Sequence, residues 1–247
     1  FKPVIGYKTT APFSDELASK MGIRILGVGN CVPIFRISMK IGNNVRRGSI
    51  QPIVPNISQK DYRNPDDSLS DLSDDDIISL CKEQVLDWVI ANHDSHGNQF
   101  IRKDGKLIGI DKTQSMKYFG KDALGEDWGD FYHPNKKYNE DYPIYKYIFG
   151  SIRCNKREVD IRKLVVSVDE TVKKVEEIDN KDFLGYFEDY FEELTSKNIR
   201  KGGNPNKVND EIGILKAKLL KRKNNIRRDF VGYYKNMFGS WFVDFSS

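Results

Sequence analysis

An α+β fold is the class this sequence predicts, on three observations. Short apolar segments punctuated by glycine, proline and asparagine gather between Gly22 and Pro55, as strands do. A tight hairpin is written at Asp104-Gly105, a dipeptide that favours a two-residue type I′ turn. From Asp160 onward, apolar residues recur at helical spacing almost to the last residue. Strands early and helices late, in one chain of 247 residues, leave room for one large domain or two lobes with a sizeable core.

Composition narrows the class. Apolar residues make up 38% of the chain and charged ones 31%, which suits extensive exposed helix. The net charge of +4 is too small to imply a nucleic-acid partner by itself. Cys31, Cys81 and Cys154 are odd in number and widely spaced, with neither a zinc pattern nor a disulfide framework, so a reducing, cytoplasmic setting is expected. There is no apolar run of 18 residues, so no transmembrane segment is expected.

Phe1-Lys2-Pro3 reads as the end of a strand. A helix is expected over Ser14–Met21, with Ser14 as N-cap and Asp15 and Glu16 favourable to the dipole in its first turn. Strands follow at Ile34–Met39 and Gly48–Val54, joined by a turn at Gly42-Asn43-Asn44. Pro52 and Pro55 end the second strand at an edge that runs into a hinge. Asp61 to Asp76 is an acidic, turn-rich connector.

Ser73-Asp74-Asp75-Asp76 then caps a helix whose Ile77, Ile78, Cys81, Val85, Trp88 and Val89 form one core-facing stripe. Lys112 to Tyr147 is aromatic and irregular, a length typical of substrate-facing loops. Ile161, Leu164, Val165, Val168, Val172 and Val175 mark one later helix, and Phe183, Leu184, Phe187, Phe191 and Leu194 a second. After a basic, glycine-rich break at Asn198–Asn206, a last helix runs from Val208 to Phe238. Its expected outer face carries Lys216, Lys218, Lys221, Arg222, Lys223, Arg227 and Arg228.

The chain is organised around Val85 to Gly120, VLDWVIANHDSHGNQFIRKDGKLIGIDKTQSMKYFG. The stretch reads as a helix end, a polar loop, the hairpin and a second acid. With a two-residue turn, Ile101 opposes Ile108 and Asn98 opposes Asp111, so the hairpin returns Asp111 to the loop that carries Asp94. Two carboxylates and a side-chain amide at one hairpin mouth suit Mg²⁺, which takes hard oxygen ligands and keeps substrate phosphates in its shell. His93 and His96 flank Asp94 without a third ligand for zinc.

Asp94-x-His96-x-x-Gln99, a short hairpin and then Ile110-Asp111 resembles the catalytic and metal-binding loops of the atypical kinases. That superfamily includes the phosphatidylinositol 3- and 4-kinases, the HipA-type toxin kinases and related bacterial effector kinases. The resemblance implies a bilobal protein-kinase-like fold, with a small β-rich N-lobe over residues 1–57 and a larger helical C-lobe over 58–247. By motif it covers Phe1 to about Phe119. The chain would start after the phosphate-covering loop, since no glycine-rich loop is assignable.

The resemblance also assigns roles. Asp94 would orient or deprotonate the attacking hydroxyl, His96 would brace the loop, and Asp111 would hold Mg²⁺. The family's metal-binding Asn falls at Gln99, with Asn98 one place earlier, and either amide oxygen could ligate. Lys2 of Phe-Lys-Pro would contact the ATP phosphates, paired with Glu16 on the following helix. The implied cofactors are ATP and Mg²⁺, and the implied activity is phosphoryl transfer to a hydroxyl. The preferred acceptor is a protein serine or threonine, with a phosphoinositide head group as alternative. The location is cytoplasmic, or a host cytosol for an effector. A pseudokinase or a nucleotidyl transferase on the same fold is a rival, as is a non-enzymatic module binding nucleic acid through the C-terminal basic helix.

Overall fold

The computed structural model describes residues 2–3, 9–52, 72–95, 99–103, 105–117, 119–120, 124, 144–153 and 158–239. The architecture is mixed α+β. A three-stranded antiparallel sheet is built from β1 (Lys2–Pro3), β2 (Phe35–Ile41) and β3 (Asn44–Ile50) in the order β1-β3-β2. The second strand starts at Asn44, four positions before the expected Gly48, because Gly42 (φ +60°) and its neighbour make a two-residue turn that pairs Ile41 with Asn44. Asn44 to Arg47 are all exposed, so no apolar alternation marks that half of the strand.

Helix α1 (Ala11–Leu26) is longer at both ends than the expected Ser14–Met21. Thr10 is the N-cap and Pro12 lies in the first turn; Ser14 is buried inside the helix, where its hydroxyl donates to the Ser115 carbonyl at 3.2 Å. Gly22 to Leu26, read as strand-rich, is helical because Met21, Ile25 and Leu26 are drawn into the core; burial there overrides the weak helix preference of the β-branched residues. Gly27 (φ +96°) ends the helix.

Helix α2 (Asp74–Val89) begins as expected. Ser73 Oγ accepts from the Asp76 amide at 3.2 Å, and Asp76 Oδ2 accepts from the Ser73 amide at 2.8 Å, a reciprocal capping box. Ile77, Ile78, Cys81, Val85, Trp88 and Val89 are all buried. The hairpin of β4 (Phe100–Lys103) and β5 (Lys106–Gly109) has the expected register, Ile101 opposite Ile108. Gly105 has φ +75°, as the turn requires, while Asp104 lies outside the described residues.

The end of the stretch expected to be irregular, from Ile144, opens helix α3 (Ile144–Arg153). Helix α4 (Ile161–Glu176) is capped by Asp160, whose side chain accepts from the Lys163 amide at 3.0 Å. The single helix expected around Phe183–Leu194 is two, α5 (Asn180–Gly185) and α6 (Glu188–Arg200), joined through Tyr186-Phe187. Helix α7 (Pro205–Phe238) is 34 residues long, with Asn204 as N-cap and Pro205 in its first turn. Among the described residues no helix is long and apolar enough to cross a membrane. Cys31 and Cys81 are free thiols.

Helices α1, α2, α4, α6 and α7 share one apolar core containing Met21, Ile25, Val85, Leu164, Val172, Phe191, Ile226 and Phe230. The expected lobe boundary falls at residue 57, outside the described residues. On its N-terminal side, α1 packs into the helical body as well as against β2 and β3. A smaller cluster of Val32, Ile34, Ile101 and Ile108 ties the β4–β5 hairpin to the segment after α1.

Part of the basic face expected on the outside of α7 is turned inward. Arg222 is only 8% exposed; its Nη1 donates to the Trp88 carbonyl at 2.8 Å and its guanidinium lies 4.0 Å from the Trp88 ring centroid. Lys223 is also buried, and Arg227 pairs with Asp169 and Glu176. The apolar stripe of α7 is flanked by these cations because their long stems help to fill the core while their heads find internal partners. Arg222, Lys223 and Arg227 are thus engaged within the protein, while Lys218, Lys221 and Arg228 of the same face are exposed. Arg222→Ala is expected to cost about 2 kcal/mol, measured by urea unfolding, through loss of a desolvated cation–π contact and a hydrogen bond.

Candidate functional site

The end of α2 sets the first acid in place. Helix geometry stops at Val89, and Ala91 adopts φ +49°, which reverses the chain. The Asn92 amide donates back to the Asp87 carbonyl at 2.8 Å, and Asn92 Oδ1 accepts from the Asp94 amide at 3.4 Å. Asp94 is half-buried in this turn, and Gln99 Nε2 donates to its Oδ2 at 3.2 Å. The two therefore meet as expected, with the amide nitrogen turned to the acid. The amide oxygen is the atom Gln99 could offer a cation. His96 and Asn98 lie outside the described residues.

The hairpin delivers the second acid. The Ile110 amide donates to the Gln99 carbonyl at 2.7 Å, extending the β4–β5 ladder to the residue before Asp111. Asp111 has φ +51°, a left-handed conformation uncommon outside glycine and one that short polar side chains tolerate best. Its Oδ1 accepts from Thr113 Oγ1 at 2.9 Å and from Lys2 Nζ at 2.5 Å. Burial would raise the Asp111 pKa, but Lys2 and Thr113 outweigh it and hold the carboxyl below its ordinary value.

Lys2 and Asp111 line a pocket of about 380 Å³ together with Asp15, Ser49, Gln51 and Ile110. Here the expectation for Glu16 needs correction. Glu16 pairs with Arg36 and, at 3.4 Å, with Lys20 of its own helix. Among the described residues it makes no ion pair with Lys2. The acid of α1 that faces the pocket is Asp15, one position earlier. Residues one apart on a helix point about 100° away from each other, so only one could face Lys2, and the sequence did not show which.

Asp15 is 2% exposed; its Oδ2 accepts from Ser49 Oγ at 3.0 Å, while its buried Oδ1 has no hydrogen-bond partner. Burial pushes its pKa up to about 6; the Lys2 charge and the Ser49 bond only partly offset this.

Beneath both acids lies a buried polar network that the sequence reading missed. Asp87 and Glu83, on the inner face of α2, both pair with Lys112, at 2.7 Å and 2.9 Å. Burial would lower the Lys112 pKa, but Asp87 and Glu83 outweigh it and keep the ammonium charged. Burial, with Asp87 nearby, pushes Glu83 above its ordinary value although Lys112 opposes this. One signal was available. Two acids four residues apart on an apolar helix face repel each other unless a cation sits between them. Gly109 is required beside them, because a Cβ there would lie 2.1 Å from Glu83 Oε1 and 2.6 Å from Lys112 Nζ.

Among the described residues no cluster of three or more His, Cys, Asp or Glu could hold a metal ion by itself. A cation at Asp111 would need further ligands from a bound substrate, as Mg²⁺ takes from nucleotide phosphates. No protein-family model matches this chain, and no curated protein matches it.

Proposed function

We propose that this chain is an ATP- and Mg-dependent phosphotransferase on a bilobal protein-kinase-like fold, with a protein serine or threonine as acceptor. The observation that carries the reading is the Lys2–Asp111 ion pair in the pocket at the hairpin mouth. A lysine from the N-terminal sheet meets the acid that a kinase would use for its cation, although they stand more than a hundred positions apart. The left-handed backbone at Asp111 supports it, since strain of this kind clusters at functional sites.

In this reading Lys2 binds phosphate oxygens, and Asp15 takes over as its counter-charge. Asp111 and the Gln99 amide oxygen hold the cation. Asp94 accepts the proton of the acceptor hydroxyl and keeps that oxygen in line for attack. A Mg²⁺ ion held by these residues would supply charge neutralisation for the transferring phosphoryl group.

The test is label transfer from γ-labelled ATP with Mg²⁺, beside Asp94→Ala and Asp111→Ala. A generic protein acceptor and phosphatidylinositol vesicles would be offered in parallel. Labelling of protein that both substitutions abolish is expected. Labelling of the vesicles alone would make the chain a lipid kinase. Label from α-labelled but not γ-labelled ATP would make it a nucleotidyl transferase. Silence with every label, and no Mg-dependent ATP binding, would reject the reading.

A further inference from the structure

Asp87 is fully buried at the end of α2 and accepts four side-chain hydrogen bonds. Its Oδ1 takes Lys112 Nζ at 2.7 Å and Asn92 Nδ2 at 2.9 Å. Its Oδ2 takes Ser95 Oγ at 2.6 Å and Tyr145 Oη at 2.7 Å. The donors come from three different segments. Asn92 and Ser95 bracket Asp94 in sequence, Lys112 directly follows Asp111, and Tyr145 opens α3. The Ile144 amide also donates to the Ser95 carbonyl at 2.9 Å, so α3 closes on the same loop.

A carboxylate with both oxygens doubly occupied has little freedom left, and in a water-free interior each of these bonds is costly to lose. Each donor sits no more than two positions from one of the two acids or starts the helix behind them. The loop with Asp94 has only a few bonds of its own, and the segment after β5 leaves the sheet at Ile110. Neither is held by regular secondary structure. Asp87 is gripped directly by side chains of both segments, alongside a backbone contact in which the Met116 amide donates to the Ile90 and Ala91 carbonyls at 3.0 and 3.2 Å.

We propose that Asp87 is a positioning residue that clamps the Asp94 loop and the Asp111 segment to one another, so that the two acids keep a fixed separation. Its consequence for turnover rests on the phosphotransfer reading; the clamp itself does not. A misplacement of reacting groups by about 1 Å is enough to lower a rate about 10²-fold. Asp87→Asn preserves shape and keeps one oxygen, but it removes one of the two charges that hold Lys112 and turns an amide toward the two hydroxyls.

The test is hydrogen exchange of the intact protein, wild type beside Asp87→Asn, read at residues 91–95 and 111–116 with α4 and α7 as internal references. Exchange at least tenfold faster in both segments together, with the references unchanged, is expected. Acceleration in one segment alone, or in neither, overturns the clamp. If Asp87→Asn does not fold, Ser95→Ala removes one donor and leaves Asp87 paired with Lys112. It is then expected to speed exchange about threefold at 111–116, a segment in which it makes no change. No effect there overturns the proposal equally.

Turnover of Mg-ATP measured on the same samples separates the two ideas. A wild type with no turnover and no ATP binding rejects the phosphotransfer reading, while the exchange data still decide the clamp. With an active wild type, kcat about 10²-fold lower at a KM for ATP within a factor of about three is the expected mark of mispositioning.

Discussion

Lys112→Ala is expected to lower folding stability by about 3–5 kcal/mol near neutral pH, the largest loss for any single side chain around the site. Lys112 is 4% exposed, and it is the shared partner of two carboxylates that are themselves buried. Its removal leaves Glu83 and Asp87 without their cation, and the desolvation cost of each is no longer offset. At Glu83 the loss of Lys112 removes what opposes burial, so its folded-state pKa rises further above the unfolded one. A carboxyl raised in this way is at its most favourable below the unfolded value and loses that contribution as pH rises through the folded value. The deficit should therefore be smallest in mild acid and grow toward neutral pH.

Wild-type Glu83 is already raised above its ordinary value, so part of this dependence is present before any substitution. Urea unfolding of wild type and Lys112→Ala across that range measures the trend. A second variant, Lys112→Met with Glu83→Gln and Asp87→Asn, should recover most of the loss, because it replaces an uncompensated charge by neutral groups of similar shape. A pH-independent deficit would mean that the lost packing of the lysine stem, and not charge, dominates.

The elements with strong local signals were legible in the sequence. The Ser73 cap, the α2 stripe, the α4 stripe and the register of the β4–β5 hairpin follow from short-range patterns that tertiary packing reinforces. Misreadings arose where packing overrides local preference. Gly22 to Leu26 has β-branched residues yet completes a helix, and Ser14 has the chemistry of a cap yet lies inside one.

The candidate site divides along the same line. Asp94, Gln99 and Asp111 were visible because they sit in one contiguous stretch with a turn that fixes its own register. The pairing of Lys2 with Asp111 was not legible there, because Lys2 stands far outside that stretch. Asp15, Asp87 and Lys112 were not visible as a group. Their roles depend on which helix face meets which loop, and charge alone made them look like ordinary surface residues. Arg222 and Lys223 misled in the same way, because a buried cation whose stem lies along the core reads in sequence like one in water.

Asp15→Asn is expected to stabilise the protein at pH 8 by about 3 kcal/mol while impairing the site. Asp15 has a folded-state pKa of about 6 against an ordinary value of 3.8, chiefly because it is buried. Since that pKa is raised, the contribution of Asp15 is fully favourable below the ordinary value and is lost as pH rises through about 6. Above that the protein carries an ionised, buried carboxylate with one oxygen unpartnered. The amide variant carries no such charge. It should match wild type at about pH 3, gain on it progressively between about pH 4 and 6, and level off above that, in thermal or urea unfolding without nucleotide. Tolerance of a destabilising acid in a pocket beside Lys2 and Asp111 is what a binding role for Asp15 would explain, because sites commonly hold groups that stability alone would discard. Mg-ATP binding should accordingly weaken in the same variant that gains stability. A variant that gains stability and binds Mg-ATP as tightly as wild type would leave Asp15 without a role as the counter-charge of Lys2. One that gains no stability would mean that Lys2 already neutralises it.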